Sequence, residues 1–181
     1  MGVRAVPGEG LDIPIWLLGS SDFSARLAGR LGLPFAFASH FAPDYILYAL
    51  ELYRSEFKPT EALAEPYAMI GINVIAADST EEAQRLATSQ QQQFLNLIRG
   101  RAGQLNPPVE SMEPLWTPHE QEIVEKQLRF TVVGNKDAVR EQLNGYLEQT
   151  HADELIVAAQ IYDHQARLRS YEILAEVMSG K

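Results

Sequence analysis

The stretch from Ile13 to Phe41 constrains the fold more than any other part of the sequence. It reads IPIWLLGSSDFSARLAGRLGLPFAFASHF. An apolar run leads through a Gly-Ser-Ser turn into an amphipathic helix pattern, which a Gly-Leu-Pro stop separates from a second apolar run. Continuous apolar runs are typical of strands buried on both faces of a parallel sheet. The stretch therefore predicts one β-α-β unit with a helix over about residues 22–31.

The same alternation of strand and helix continues through the rest of the 181 residues. Four major strands are predicted at Ile13–Leu18, Phe35–Ser39, Tyr67–Ala77 and Glu154–Ile161. A short helix, a brief extended piece over 130–133 and another helix separate the third strand from the fourth. Strict alternation predicts a parallel sheet with right-handed crossovers. Periodicity leaves two architectures open: a small doubly wound sheet, or half of an eight-stranded (β/α) barrel, which usually needs about 250 residues.

Capping residues mark where several helices begin. Ser21, Ser79, Thr117 and Asn135 each precede a helical pattern and are predicted N-caps. The glutamine run from 90 to 93 is expected on the solvated side of its helix. Four prolines between 107 and 118 predict an irregular surface segment.

Composition and charge argue against several kinds of partner and site. The net charge is −9 and no basic cluster occurs, so nucleic acid and anionic membrane surfaces are not expected partners. The chain has no cysteine, which excludes disulfides, thiolate metal sites and a cysteine nucleophile and fits a cytoplasmic protein. No apolar run approaches the roughly 18 residues of a transmembrane helix. None of the four histidines forms a metal-ligand pair at helical spacing, so no metal is expected.

Ligands of parallel α/β proteins gather at the carboxyl ends of the strands. The polar residues on or just after those predicted ends are Ser20, Ser21, Ser24, His40, Asp78, Asp163 and His164. Four signatures of familiar active sites do not occur: Walker A, GxGxxG, GxSxG and HExxH. The chemistry of this edge must therefore be argued from single residues.

The Gly-Ser-Ser turn has two interpretations. Backbone amides and serine hydroxyls at a helix N-terminus form an anion site suited to phosphate. Serine is also a common N-cap, and on the residues alone the capping role is favoured. Asp22, in the first turn, counts against phosphate unless its side chain points away.

Two of the histidines also have two possible interpretations each. His40, just after a strand, could be an active-site acid, a base or a substrate contact, or a turn histidine packed against a neighbour. His164 with Arg167 and Arg169 could face an anion. Ion pairs between these arginines and acids such as Glu172 are favoured instead.

Five segments, in order, resemble the bacterial luciferase-like, flavin-dependent monooxygenases. They are IPIWLLGSSDFSARLAGRLGLPFAFASHFAP, YRSEFKPT, GINVIAADSTEEA, VVGNKDAV and DHQARLRSYEILAE. The resemblance runs from about Val3 to Val177, so the whole chain, residues 1–181, is interpreted as one luciferase-like domain. It implies a TIM-type (β/α)8 barrel, with Ile13–Leu18, Phe35–Ser39, Ala68–Ala76 and Glu154–Ile161 as barrel strands five to eight.

The resemblance also implies a cofactor and its site. Such enzymes use reduced FMN, supplied by a reductase, and molecular oxygen to oxidise a small organic substrate. Ser20, Ser21 and Ser24 match the positions that hold the FMN phosphate after strand five. Ala38 to His40, at the end of strand six, look like a wall near the flavin. FMN would carry the oxygen chemistry, and the protein would position it and exclude water.

The departure from the family is large, because no counterpart of the first four barrel strands occurs. With them go the family's phosphate arginine and catalytic histidine, so no catalytic residue is assigned. The chain resembles the C-terminal half of such an enzyme, truncated on its N-terminal side. Exposed sheet edges predict a homo-oligomer or a complementing half-barrel. A non-catalytic flavin-binding or subunit-forming half, and a flavodoxin-like binding module, remain as alternatives.

Overall fold

The computed structural model describes residues 4, 6–11, 13–40 and 42–179. The strands are β1 (Leu17–Gly19), β2 (Phe35–Phe37), β3 (Ala68–Ala76), β4 (Thr131–Gly134) and β5 (Glu154–Ala158). The helices are α1 (Asp22–Leu31), α2 (Ile46–Ser55), α3 (Thr80–Ile98), α4 (Pro118–Leu128), α5 (Lys136–Thr150) and α6 (His164–Ser179), and a 3-10 turn (Pro43–Tyr45) precedes α2. The predicted alternation of strands and helices is confirmed.

All five strands of the described residues are parallel, and β3 lies at the centre of the sheet. β1 pairs with β2, and β2 pairs with the start of β3. β5 pairs with residues Met69 to Asn73 of β3, and β4 pairs with Asn73 to Ala76. Because Asn73 pairs with both β4 and β5, these two strands lie on opposite edges of β3. β2 and β4 therefore lie end to end along one edge, and β5 occupies the other.

The first strand is shorter than predicted. The apolar run predicts a strand over 13–18, but only Leu17–Gly19 pairs with a neighbour. Residues 13–16 precede it without a strand partner in the described part of the chain, and Ile13 and Ile15 are 60% and 67% exposed. The second and fourth strands end at Phe37 and Ala158, short of the predicted Ser39 and Ile161.

One face of the sheet carries the main hydrophobic core. Alternate residues of β2 and β3 point to this face and pack against α1, α2, α5 and α6; among them are Phe35, Phe37, Ile70, Ile72, Val74, Ala25, Tyr53, Leu143 and Ile173. The helices thus cover one side of the strands. This arrangement follows from βα units that all cross over in the same sense.

The opposite face of the sheet is covered only towards the carboxyl end. There Ile75 and Ala77 pack against Ala83 and Leu86 of α3. A third cluster, of Leu95, Met112 and Val124, fixes the irregular segment and α4 against α3. Towards the other end of the strands this face is open at β1 and β5, where Leu18 and Ile156 are exposed.

The sequence predicts that the glutamine run lies on the solvated side of α3, but the run is partly buried. Gln90 is 1% exposed, and Gln91 to Gln93 are partly buried. The irregular segment explains the difference, because Gln92 and Gln93 donate hydrogen bonds to the carbonyls of Pro107 and Gly103 at 2.9 and 3.3 Å. A second element therefore covers the face of α3 that helical periodicity leaves to solvent.

The predicted N-caps are confirmed. The side chains of Ser79, Thr117 and Asn135 accept hydrogen bonds from the backbone amides of Glu82, Glu120 and Ala138. At the start of α4 the Thr117 amide also donates to Glu120 Oε2 at 2.8 Å, which completes a capping box.

We expect the ion pair between Arg99 and Glu120 to make the free energy of unfolding depend on pH in the acidic range. Arg99 Nε lies 2.7 Å from Glu120 Oε1, and this contact, with the Thr117 amide, lowers the pKa of Glu120 to about 2. The pKa of Glu120 in the folded state lies below its ordinary value of 4.5. The ion pair therefore stabilises the fold fully only above pH 4.5. It is lost as the pH falls through about 2.

Urea unfolding of the wild type and Glu120→Gln at pH values from 7 to 2 tests this. The wild type should be more stable at pH 7, and the difference should shrink below pH 4.5. Glu122→Gln, in the same helix and without an ion pair among the described residues, should follow the wild type. A stability difference that stays constant across this range would contradict the expectation.

Candidate functional site

The carboxyl ends of β1 and β2 lie side by side and bring the predicted site residues together. The Ala38 amide donates a hydrogen bond to the Gly19 carbonyl at 2.9 Å. Ser20, Ser21 and Ser24 follow β1, and Ala38 and His40 follow β2. The five residues predicted from the sequence therefore share one edge of the sheet, although their role in binding stays a prediction.

The serine turn is built as a helix cap. Ser21 is the N-cap of α1, and its Oγ accepts from the Ser24 amide at 3.4 Å. Ser24 Oγ accepts from the Ser21 amide at 3.4 Å and donates to the Ser21 carbonyl at 2.8 Å. The capping interpretation is confirmed. Ser24 is 8% exposed, so its hydroxyl is held beneath the turn.

The same turn retains donors that could bind an anion. The amides of Asp22 and Phe23, at the start of α1, have no acceptor among the described residues. Ser20 and Ser21 are exposed beside them. Helix N-terminal amides and hydroxyls are the donor types that hold phosphate. The donor set therefore fits the phosphate of a flavin nucleotide, with capping and binding sharing one turn.

Gly19 leaves the space that this turn needs. A Cβ at Gly19 would lie 2.1 Å from Ser24 Oγ and 2.3 Å from Ser24 Cβ. Ser24 can therefore fold back under the turn only because residue 19 has no side chain.

His40 lies on the open side of β3. Its Nδ1 is 3.0 Å from the position that a Cβ on Gly71 would take, and Ile156 is the next neighbour of that position, at 3.6 Å. The neighbouring Ser39 is fully buried and donates to the Gly71 carbonyl. His40 is therefore seated over a glycine in the middle of the sheet.

Two further residues at this edge escape sequence reasoning. Gln127 of α4 donates its Nε2 to the His40 carbonyl at 3.4 Å, across 87 residues. No local pattern signals that contact. Asn73, which is 4% exposed, lies two residues after Gly71 on the same face of β3. A polar residue inside an apolar strand is the signal that could have found it.

The other polar candidates form structural contacts. Arg169 pairs with Asp78 at 2.7 Å and with Glu172 at 3.2 Å, and the first contact lowers the pKa of Asp78. Asp163 Oδ1 accepts from the Ala166 amide at 2.8 Å as a helix cap. The ion-pair interpretation of Arg169 is confirmed.

The described ranges contain no group of three acidic, histidine or cysteine residues placed to hold a metal ion. Within them, no helix combines the length and apolar character that crossing a membrane requires.

Comparison with known proteins identifies the family. The model of the luciferase-like monooxygenases matches residues 1–154. The chain belongs to this family. A luciferase-like monooxygenase of Escherichia coli (strain K12) is 56% identical over 175 residues, which are 97% of this chain and 52% of that relative. The predicted resemblance is confirmed, and the chain spans about half the length of the curated relatives it matches.

Solved structures support the fold. The crystal structure of apo-MsnO8 matches 99% of this chain and 55% of its own, with a TM-score of 0.80 and 29% identity. The oxygenating constituent of 3,6-diketocamphane monooxygenase from the CAM plasmid of Pseudomonas putida, solved with FMN, covers 93% of this chain and 48% of its own. Its TM-score is 0.62 at 21% identity, which shows a shared fold. These neighbours confirm the predicted fold class of parallel βα units.

Proposed function

We propose that this chain forms the FMN-binding part of a flavin-dependent monooxygenase. Such an enzyme uses reduced flavin, supplied by a reductase, and molecular oxygen to oxidise a small organic substrate. The observation that carries the proposal is the serine turn, which leaves two helix amides unpaired at the strand edge of a luciferase-like chain. The FMN complex of a fold neighbour supports the choice of cofactor. A cytoplasmic location fits the cysteine-free sequence.

In this proposal, the turn after β1 holds the phosphate. Ser20, Ser21 and Ser24 surround the amides of Asp22 and Phe23, and the positive end of the α1 dipole favours the charge. Ser24 acts from beneath by keeping Ser21 in place, because both belong to the capping box. Binding then uses a turn whose conformation is already set before the ligand arrives.

Ala38 and His40 would lie beside the flavin ring at the end of β2. When bound, FMN supplies the oxygen chemistry of the reaction. The side chains of this chain orient it: Ser39 and Gly71 fix the loop that carries His40, and Gln127 holds the His40 carbonyl from the far side. The described edge offers His40 as a group that could hold or move a proton near the ring.

A second candidate function is flavin binding without turnover. The open face of β3 favours it, since a site open on one side does not exclude water from a reactive flavin. In that case this chain would bind flavin, and turnover would require further polypeptide around the site.

An FMN titration followed by a turnover assay separates these functions. Quenching of flavin fluorescence together with substrate-dependent NADH consumption, in the presence of a reductase, supports the monooxygenase. Binding without NADH consumption supports the second candidate. No binding at millimolar FMN would overturn both.

We expect Ser21→Ala and Ser24→Ala each to weaken FMN binding by about tenfold. A hydrogen bond to a charged group contributes about 1.5–3 kcal/mol, and these variants remove a phosphate donor or the group that positions it. The measurement is the dissociation constant for FMN from fluorescence quenching, with the melting temperature of the free protein recorded alongside.

Ser79→Ala is the matched control for these variants. Ser79 caps α3 in the same way, so its loss should also cost about 1 kcal/mol of stability. FMN affinity should stay at the wild-type value, since α3 is not the phosphate turn. If all three variants bind FMN like the wild type, the serines act only as caps.

A further inference from the structure

The sheet presents an open face that the described residues cover only in part, where His40 lies over Gly71. We use this name for the face of Leu18, Met69, Gly71 and Ile156, opposite to the helices. Leu18 is 70% exposed and Ile156 57%. Strand residues this apolar are normally buried. The open face therefore resembles one side of a hydrophobic core on which no other described element packs.

Both outer edges of the sheet are also unpaired in the described part of the chain. β1 forms one edge and β5 the other, and the two strands point the same way. The short β4 is a third terminal strand, which pairs only with the carboxyl end of β3. Beside β1, residues 13–16 carry apolar side chains but pair with no strand. Unpaired parallel edges are templates for another strand. Residues 13–16 therefore have apolar side chains but no strand beside them in the described part of the chain.

The total surface shows how large the uncovered area is. The accessible surface of the chain is 10928 Å². A globular monomer of 20.2 kDa should expose about 8,800 Å². The excess of about 2,100 Å² exceeds the roughly 800 Å² that each partner buries in a standard stable interface.

We propose that a second copy of this chain covers the open face and closes the sheet with it into one eight-stranded barrel. A twofold axis parallel to the strands places β5 of each copy beside β1 of the other, with all strands parallel. Each copy then supplies four barrel strands, β1, β2, β3 and β5, and both edges disappear. Such a twofold interface is self-complementary, as dimers of identical chains require.

The register of the two copies follows from the geometry of such barrels. Within one copy, Leu18 lies in a row with Ala36, Met69 and Glu154. An eight-stranded barrel has a shear of about eight residues, so half of it shifts the pairing by about four. Glu154 would then face residue 14 or 22 of the partner. Residue 22 is already the first residue of α1, which leaves residue 14.

The proposed pairing therefore sets 154–158 beside 14–18 of the other copy. It gives the unpaired apolar residues 13–16 a strand partner and buries Leu18 and Ile156 in the barrel. Both serine turns come to the same end of the barrel, so each copy completes the surroundings of the other's site. The inference rests on the sheet and not on the proposed flavin binding.

The mass of the chain in solution is the first test. Light scattering at micromolar concentration should give about 40 kDa, twice the 20.2 kDa of one chain. Ile156→Lys should raise the dimer dissociation constant at least about a hundredfold, because it places a charge in the closed barrel. Leu97→Lys is the matched control: Leu97 is 59% exposed but lies in the last turn of α3 and not in a strand of the open face. It should remain dimeric.

Cysteine cross-linking tests the register, and the cysteine-free chain makes it clean. Under mild oxidation, Leu18→Cys with Ala158→Cys should form a covalent dimer, since adjacent strands lie within disulfide reach. Leu18→Cys with Glu154→Cys is displaced by four residues, about 13 Å along the strand, and should not.

Three results would overturn the inference: a monomer at micromolar concentration, a dimer that Leu97→Lys disrupts as strongly as Ile156→Lys, or equal cross-linking of both cysteine pairs. A chain that stays monomeric until a different polypeptide is added would assign the open face to that partner. A dimer that does not bind FMN would overturn the proposed function and leave this inference standing.

Discussion

Gly19→Ala should lower the free energy of unfolding by about 1–3 kcal/mol, the usual cost of overpacking a filled site. The new Cβ would lie 2.1 Å from Ser24 Oγ, a separation that no pair of non-bonded atoms tolerates. Ser24 would have to leave its place under the turn. It would take the capping box of α1 with it, because its hydroxyl accepts from the Ser21 amide. Losing a cap costs about a further 1 kcal/mol.

Urea unfolding of three variants separates the clash from the lost cap. Gly145→Ala is the control, because a Cβ there meets nothing within 4 Å and alanine favours the helix that contains it. It should be as stable as the wild type or up to about 1 kcal/mol more stable. The double variant Gly19→Ala with Ser24→Gly should be no less stable than Gly19→Ala alone. Glycine at position 24 has no side chain to clash with the new Cβ at position 19. Wild-type stability of Gly19→Ala would show that the turn can open at no cost.

The start of α1 shows what local sequence can predict. Ser21, Asp22 and the apolar spacing of Leu27, Ala28 and Leu31 lie within three turns of each other, and they determine the cap and the stripe together. The structure places α1 over the predicted residues, with Gly32 closing it in the left-handed region at φ 62°. Local hydrogen bonds and periodicity suffice there.

The first strand shows where local sequence fails. Its apolar run is a valid strand pattern, but a strand exists only where a second strand supplies hydrogen bonds. Phe35–Phe37 supplies them for Leu17–Gly19 alone. Residues 13–16 therefore have the pattern of a strand, but the described chain supplies no neighbouring strand for them to pair with.

The candidate site divides in the same way. Its position at the carboxyl ends of β1 and β2 follows from the alternation of elements, and the serines and His40 could be chosen from that position. The space that Gly19 leaves for Ser24, and the reach of Gln127 to the His40 loop, arise only from packing. The partial burial of Gln92 and Gln93 belongs with them, since it depends on a proline-rich segment without a periodic pattern.

Tyr53→Phe should lower the free energy of unfolding by about 1–3 kcal/mol. Tyr53 of α2 has no exposed surface, and its hydroxyl donates to the Leu33 carbonyl at 2.9 Å. The same oxygen accepts from the Tyr67 amide at 3.1 Å. One hydroxyl thus joins the segments that enter β2 and β3, and phenylalanine would leave their backbone groups without this partner.

Alkaline pH gives a second readout of the same hydroxyl. Burial raises the pKa of Tyr53 above its ordinary value of 10.0, so the folded state favours the neutral phenol. Its contribution is complete below pH 10 and declines as the pH rises through the folded pKa. The stability advantage of the wild type over Tyr53→Phe should therefore narrow above pH 10.

Tyr162→Phe separates this effect from the general loss of a phenol. Tyr162 is 54% exposed, so its replacement should change the urea midpoint little at any pH. If Tyr53→Phe matched that control at pH 7, hydrophobic packing of the ring against Phe35 and Phe57 would be sufficient. If its deficit persisted unchanged above pH 10, the hydrogen bonds would not be its source. A deficit that is present at pH 7 and narrows in alkali would instead show that one buried hydroxyl joins β2 and β3, the strands that carry His40 and the glycine beneath it.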